Sequence, residues 1–468
     1  MVNLYDTLTE QLKPLLPHSS DTIFMYVCGI TPYDDTHIGH ARTFASIDIL
    51  RRYLQYCNQK IFHIQNVTDI DDKIINRAKE LNKMPLEISS FYDLKSRELL
   101  SKINILQPHS MPKVSENILV ILEFIEKIIN NGFAYVSKSG VYFDVLKYNS
   151  HYGELSKQDL EKIKSGARIE PKEDKKNPMD FALWKFEKVQ GATFYSKWGE
   201  GRPGWHIECS AMSLKNTNFK PLDLHAGARD LIFPHHENEI AQSHAAGYRP
   251  FCYHWLHTGF LVVNGEKMSK SLGNFITLEQ ALEKWPAPVL RLFFALSHYS
   301  SPLDFSFSAL DGTSATYENI KNSLFLVEQK FLKISPDQKV EKNFLEKIEK
   351  NKRKFIELLE NNLQTPEACA LLIESAKEVS KALESGKCSY PVLQEAIKTI
   401  KELFEILGVN ISYPALKISK KEIEDLLEKR QEARLNKDFE RADQIRKLLL
   451  DKGIIVEDST NGTIWKIK

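Results

Sequence analysis

The sequence predicts an α/β protein whose parallel sheet is split in two by an insertion and followed by helices. Three observations carry this reading. The apolar run Ile23-Phe24-Met25-Tyr26-Val27, a stretch of helical spacing and a second apolar run, Ile61 to Val67, follow one another within about 50 residues. That order forms a parallel βαβ unit. A similar alternation returns between Pro221 and Val263. Beyond about Phe307 strand-like runs give way to amphipathic sequence rich in Lys, Glu and Leu.

Each element can be justified in turn. Ile23 to Val27 is short, apolar and bounded by polar residues, so it predicts a buried strand. Cys28-Gly29 ends it, and Thr31-Pro32-Tyr33-Asp34 makes a loop. From Gly39 to Tyr56 no Pro or further Gly intervenes, and Phe44, Ile47, Leu50 and Leu54 mark one face of a helix. In parallel sheets ligands sit at the carboxyl ends of the strands, where Cys28 and the His37–His40 segment fall. The stretch from 110 to 205 reads as an insertion with antiparallel strands around Gly140-Val141-Tyr142-Phe143. It also holds Ser165-Gly166-Ala167 and a charged run from Lys172 to Lys176. In the second half, Pro221 to His225 is expected as a strand, Phe233 to Ala246 as a helix and His254 to Val263 as one strand leading to a polar loop at Lys267. Residues 315 to 408 predict a helical bundle interrupted near Pro336, Pro366 and Pro391. After a break at Tyr413-Pro414, residues 419 to 452 predict two helices, and Ile454 to Lys468 a hairpin around Asn461-Gly462.

Length and composition bound the function. A chain of 468 residues with 42% hydrophobic and 27% charged residues is a folded protein of several domains. The net charge of +1 excludes a globally basic nucleic-acid coat. Nucleic-acid contact would have to come from local patches at Arg51-Arg52, Lys350 to Lys354 or Lys429 to Lys437, which are equally readable as solvated helix faces. No apolar run reaches the ~20 residues of a membrane span. The start, Met1-Val2-Asn3-Leu4-Tyr5-Asp6, has no leader pattern, so a cytoplasmic protein is expected, and near-neutral charge favours a monomer. Six cysteines in so long a chain make no disulfide framework, and none is spaced Cys-x-x-Cys. A metal would need ligands from distant segments. Cys57, Cys252, Cys369 and Cys388 are read as structural.

Two short motifs carry chemistry. His37-Ile38-Gly39-His40 puts two histidines on one side of a helix start, where free N–H groups and partial positive charge suit a triphosphate. Gly39 would let a ligand come close. The plain alternative is a pair of metal-binding or surface histidines. Lys267-Met268-Ser269-Lys270-Ser271, followed by Leu272-Gly273-Asn274, sets two lysines on a polar loop that could clamp a leaving pyrophosphate. Its plain alternative is an ordinary basic loop.

Together these motifs resemble the two signatures of class I aminoacyl-tRNA synthetases, and the cysteinyl-tRNA synthetases among them most closely. The resemblance is carried further by Tyr26-Val27-Cys28-Gly29-Ile30-Thr31, Asn66-Val67-Thr68-Asp69-Ile70-Asp71-Asp72-Lys73, Asp180 to Lys185, Gly201 to Ser210 and Phe233-Pro234-His235-His236-Glu237-Asn238-Glu239. It is dense through residue 275 and returns at Lys437 to Arg446 and Gly462 to Trp465. One departure is Lys113, where the family usually has Arg.

The resemblance implies a Rossmann-type α/β catalytic domain with an inserted acceptor-binding domain, then an α-helical bundle and a small C-terminal α+β module. The corresponding segments are 1–110 and 205–310 for the catalytic halves, 111–204 for the insertion, 311–410 for the bundle and 411–468 for an anticodon-binding module. It implies ATP-dependent activation of L-cysteine and transfer to the terminal adenosine of tRNA(Cys). His37, His40, Lys267 and Lys270 would be catalytic, and Gly39, Lys267, Ser269 and Lys270 would hold ATP with its Mg2+.

Selecting cysteine over serine needs a group that reads a thiol. Zinc does so, because it prefers a soft thiolate. Cys28 and Cys209 are candidate ligands, and His235 and Glu239, four apart on a helix, face one way. The family places one zinc on the positions matching Cys28, Cys209, His235 and Glu239. The choice of His235 over His236 rests on that pattern and the spacing. Gly29, Thr68, Trp205, His225 and Asp230 match positions around bound cysteine, although Trp205 reads equally as core and Thr68 as a turn cap. In the tail, Arg430, Arg434, Lys437, Arg441 and Arg446, with Phe439 and Trp465, would contact phosphates and stack on anticodon bases. Two rival readings are a cysteine ligase acting on a small-molecule amine, which should lack the tail segments, and a non-catalytic RNA-binding relative, which should have decayed signatures.

Overall fold

The apolar run at the start of the chain becomes a strand buried on both sides, as a central parallel strand must be. In the computed structural model, which describes residues 1–148, 151–158, 174–268, 273–325, 334–413, 418–459 and 462–467, this strand is Thr22–Val27. It is β3, because a short hairpin of β1 (Asn3–Asp6) and β2 (Gln11–Pro14), not foreseen in the sequence, precedes it. Helix α1 (Ile38–Tyr56) crosses over to β4 (Lys60–Gln65), which pairs parallel with β3. Helices α2 (Asp72–Leu81) and α3 (Pro85–Lys102) follow.

The inserted stretch opens with α4 (Ile118–Asn130). Strands β5 (Ala134–Val136), β6 (Gly140–Phe143), β7 (Phe181–Lys185) and β8 (Arg202–Pro203) then form an antiparallel sheet in that order. Ser165–Ala167 and the start of the Lys172–Lys176 run lie outside the described residues.

The second half adds α5 (Trp205–Asn216), β9 (Leu224–Ala228), a kinked turn at Ile232–His236, α6 (Glu237–Ala245) and β10 (Trp255–Thr258). The order β10-β9-β3-β4, all parallel, joins both halves in one sheet, with β3 pairing to β9 across the join. The ends of β3, β4 and β9 therefore meet at the switch point where such sheets bind ligands.

Two expected strands are corrected. The one at Pro221–His225 starts instead at Leu224. Pro221 has no N–H to give, and Asp223 turns its carboxylate to the N–H groups of His18 and Phe24. The single run His254–Val263 is two strands in different sheets. It breaks at Gly259, where a Cβ would lie 2.3 Å from the Ser301 carbonyl oxygen. Beyond the break, β11 (Leu261–Val263) pairs with β12 (Glu266–Lys267) and β13 (Leu303–Phe305). Helices α7 (Leu278–Lys284) and α8 (Ala287–Ala295) lie between β12 and β13.

The chain divides into two compact units. The first is Met1–Leu290 with Ser297–Ser306 and Glu360–Leu363, and the second is Arg291–Leu296 with Phe307–Leu359 and Gln364–Lys468. In the second, α9 (Phe307–Phe325), α10 (Gln338–Glu360), α11 (Thr365–Glu384) and α12 (Tyr390–Ile406) are the expected helices, with Pro366 and Pro391 in first turns, where a missing N–H costs nothing. Helices α13 (Lys420–Leu435) and α14 (Phe439–Asp451) then pack with a hairpin of β14 (Ile454–Ser459) and β15 (Gly462–Ile467). Asn461 is outside the described residues.

Three of the basic and aromatic candidates are also corrected. Arg51 is buried and donates to the carbonyls of Leu106 and Gln107, so it is no surface patch. Arg430 is buried in a two-pronged pair with Asp458. Trp465 is only 2% exposed, packed among Ile423, Leu427 and Leu449, and presents no face to a base. Phe439 is 62% exposed. Cys252, Cys369 and Cys388 are buried, whereas Cys57 is exposed at the end of α1.

Candidate active site

Helix α1 begins with an unusual cap. His37 has extended backbone, and its Nδ1 accepts from the N–H of His40, taking the place of a Ser or Asp oxygen. The two rings stack with centroids 3.5 Å apart, and Phe275 meets His37 edge-on. This geometry explains Gly39 within the chain itself, since a Cβ there would sit 2.9 Å from His37 Nδ1. Burial, and then Lys73, lowers the His37 imidazole to about 4. Burial, His37 and Lys73 push His40 well below its ordinary range. Both rings are therefore neutral at pH 7.

The described chain on either side of the second motif is brought to the first. Strand β12 places the backbone of Lys267 opposite Val262, and the chain returns so that Ile38 N–H donates to Ile276 and Leu278 N–H to Thr36. Met268 lies beside Gly39. The Lys267 side chain and residues Ser269, Lys270 and Ser271 lie outside the described residues.

A cavity of about 280 Å3 opens here. Cys28, Gly29 and Thr31 line one part, and His37, His40 and Lys73 another, with Trp205 and Asp230 also on its wall. Of the residues expected around cysteine, Gly29, Trp205 and Asp230 thus face it. Trp205 is 40% exposed and stacks on His235, so it is not core. Thr68 is buried behind, receiving a hydrogen bond from Asn66 Nδ2. It does not cap α2, which Asp71 does. Asn66 Oδ1 also accepts from Gly29 N–H, and a Cβ on Gly29 would strike the Asn66 carbonyl. His225 is buried too, with Nε2 2.9 Å from Glu239 Oε2.

Cys28 directly follows β3, Cys209 lies on α5, His235 on the kinked turn and Glu239 in the first turn of α6. Their four ligand atoms lie within 4.8 Å of one another, and all four residues are buried. A second set, Cys28, His225, His236 and Glu239, meets the same limit. The two sets differ in their surroundings. Glu239 Oε1 is 3.0 Å from His235 Nε2, while Oε2 is held by His225. His206 Nδ1 lies 2.8 Å from His235 Nδ1 and leaves Nε2 facing the cluster. His236 is held through its Nδ1 by His257, which in turn contacts Thr7, and its Nε2 reaches Cys28 Sγ at 3.2 Å. A hydrogen bond with Cys28 lowers the Cys209 thiol to about 6. Burial raises the Cys28 thiol well above its ordinary value. Burial opposes charge on Glu239, yet His225 and His235 hold its carboxyl at about 2.

His206 and His257 were not singled out in the sequence. His206 sits three residues before Cys209, a weak spacing signal, whereas nothing in the pattern marks His257.

Residues 15–315 match the family model described as the class I tRNA synthetase (C) catalytic domain, and residues 420–465 match the cysteinyl-tRNA ligase anticodon binding domain. Cysteine–tRNA ligase of Geobacter metallireducens is 40% identical over 100% of both chains. That of Thermococcus gammatolerans is 40% identical, and that of Caldicellulosiruptor saccharolyticus 41%, each over 99% of both chains. Among solved structures, Mycobacterium tuberculosis methionyl-tRNA synthetase bound by methionyl-adenylate matches with a TM-score of 0.63 at 13% identity, over 83% of this chain and 92% of that one. A leucyl-tRNA synthetase complex from Agrobacterium radiobacter matches with 0.62 at 11% identity, over 85% of each.

Proposed function

This chain belongs to the cysteine–tRNA ligases, ATP-dependent class I aminoacyl-tRNA synthetases, and from that premise we propose how its own residues carry the reaction. The enzyme joins cysteine to tRNA. In the first step a carboxylate oxygen of cysteine bonds to the α-phosphorus of ATP, and the bond to the β-phosphate breaks, releasing pyrophosphate. His37 and His40 stabilise the charge that builds on the α-phosphate. His37 Nδ1 already accepts from the backbone, so its proton sits on Nε2, free to donate. Gly39 keeps that ring in place. Lys267, Ser269 and Lys270 hold the leaving pyrophosphate, and Mg2+ accompanies ATP. In the second step a ribose hydroxyl of the terminal adenosine of tRNA(Cys) displaces AMP.

Cys28, Cys209, His235 and Glu239 hold one zinc ion. Two soft thiols, an imidazole and a carboxylate, buried together, are a zinc donor set, and His225 and His206 orient two of its members. When bound, zinc supplies a soft acceptor that favours a thiol sulfur over a hydroxyl. Gly29, Trp205 and Asp230 bound the amino-acid seat, while Thr68 and His225 act from behind it.

One observation carries the reading: Cys28 and His37 line the same cavity, so the donor set and the signature histidines serve one small substrate pair. The match at 420–465 to an anticodon domain counts against a small-molecule ligase. Residues 111–204 then act on the acceptor end, 311–410 form the bundle and 411–468 read the anticodon, in a cytoplasmic monomer. Cysteine-dependent ATP–pyrophosphate exchange tests the first step, and charging of tRNA(Cys) the second. Equal exchange with serine would overturn the thiol selection, and exchange without charging would overturn the tRNA reading.

A further inference from the structure

Lys73 is the second residue of α2 and lines the cavity with Tyr33, His37 and His40. Its ammonium lies 5.4 Å from the Tyr33 ring centroid, and it makes no hydrogen bond or ion pair among the described residues. That is unexpected in so acidic a stretch. Asp69, Asp71 and Asp72 all lie within four residues, yet each is engaged elsewhere. Asp69 accepts from the N–H and hydroxyl of Ser115. Asp71 caps α2 by accepting from the Lys73 N–H, and Asp72 pairs with Lys185 and Arg202. The lysine is left unneutralised beside two imidazoles that it helps to keep uncharged.

We propose that Lys73 is a catalytic residue that contacts the α-phosphate of ATP and supplies a fixed positive charge beside His37 and His40. The inference rests on the functional reading above. The cavity joins the Cys28–Trp205 wall to the His37–His40 wall, so the phosphorus that meets the cysteine carboxylate lies between them. As that carboxylate oxygen bonds to phosphorus and the pyrophosphate oxygen leaves with its electron pair, negative charge accumulates on the non-bridging oxygens. A preorganised ammonium there acts most strongly in the transition state.

The test uses the full-length enzyme and the variants K73M and K73R, with K73Q giving the same test should K73M fail to fold. K73M should slow the kcat of cysteine-dependent exchange roughly 100-fold, as loss of one transition-state charge partner does. Its zinc content and its KM for cysteine should stay within a few-fold of wild type, and K73R should recover much of the rate. Exchange by K73M near the wild-type rate, or a loss confined to a KM, overturns the role of Lys73 alone. A wild-type enzyme that shows no cysteine-dependent exchange overturns the functional reading along with it.

Discussion

The backbones of His37 and Thr277 pair as an antiparallel bridge, although 240 positions separate them. The cap of α1 and the entry to α7 are thereby tied together, and Met268 and Phe275, on either side of the undescribed stretch, lie beside Gly39 and the His37 ring. Any change that moves this ring should therefore disturb both motifs.

Gly39→Ala is such a change. The added Cβ would sit 2.9 Å from His37 Nδ1, and that ring is confined between His40 and Phe275. Exchange activity is expected to fall about 10- to 100-fold, the usual result of a small misplacement of catalytic groups. Stability should change by no more than about 1 kcal/mol. Exchange assays beside urea unfolding check both, and a fully active variant would show that the ring position is not critical.

A second tie joins the same segments. Lys95 on α3 reaches Asp35 Oδ1 at 2.8 Å and Glu279 Oε2 at 2.7 Å, linking the loop before His37 to helix α7. These groups are partly exposed, so Lys95→Ala should cost at most about 1 kcal/mol of stability. If the tie positions the site, exchange should drop more than that implies, roughly 3- to 10-fold, and Lys95→Arg should restore it. Equal rates for wild type and K95A would leave the tie a surface contact only.

The leaving-group role of Lys270 is tested from the sequence motif itself. Lys270→Ala should slow pyrophosphate exchange on the order of 100-fold while leaving the KM for cysteine nearly unchanged. Initial rates at varied ATP and cysteine separate the two effects, and an unaltered maximal rate would remove Lys270 from the chemistry.

How much of this was legible in the sequence follows from what each feature depends on. Strands β3 and β4 and helix α1 announce themselves because burial imposes a period that the residues must follow. Cys28, Cys209, His235 and Glu239 were found through the family resemblance and the four-residue spacing of the last two. His206 and His257 act through contacts across distant segments, which no local pattern records. The error at Trp465 has a similar origin, since an aromatic residue reads alike whether it faces a base or a core. Arg51 and Arg430 look like surface cations until their buried partners are seen. Lys95 and Lys73 differ only in what surrounds them, and the sequence shows neither surrounding.

Stability should fall as the solution is acidified below neutrality. Burial, then Arg51, lowers the His63 imidazole to about 3, against an ordinary value near 6.5 in the unfolded chain. Between those values the unfolded state binds a proton that the folded state refuses, so stability is full above pH ~6.5 and is lost as pH drops toward ~3. At pH 5 this one group should contribute a loss of about 1–2 kcal/mol relative to pH 8. Urea midpoints at pH 8, 6 and 5 measure it, and His63→Gln should flatten part of the slope. An unchanged slope in that variant would assign the effect to other buried histidines.

The two overlapping donor sets predict opposite outcomes for two variants. Cys28 and Glu239 belong to both, so their loss cannot discriminate; Cys209 and His235 belong to one set, His225 and His236 to the other. If Cys209 is a ligand, Cys209→Ser should drop bound zinc from one per chain to well below half and should erase the preference for cysteine over serine in exchange, because an alcohol is a far poorer zinc ligand than a thiolate. His225→Gln should keep most of the zinc. Its amide can still donate to Glu239 Oε2, so the carboxylate loses part of its orientation rather than its place, and affinity should fall about 10-fold, the low end for a supporting hydrogen bond. Elemental analysis after exhaustive dialysis, with competition against a chelator for the affinities, reads both. Zinc retained by C209S and lost by H225Q would transfer the site to the set containing His236, and with it the task of reading the thiol.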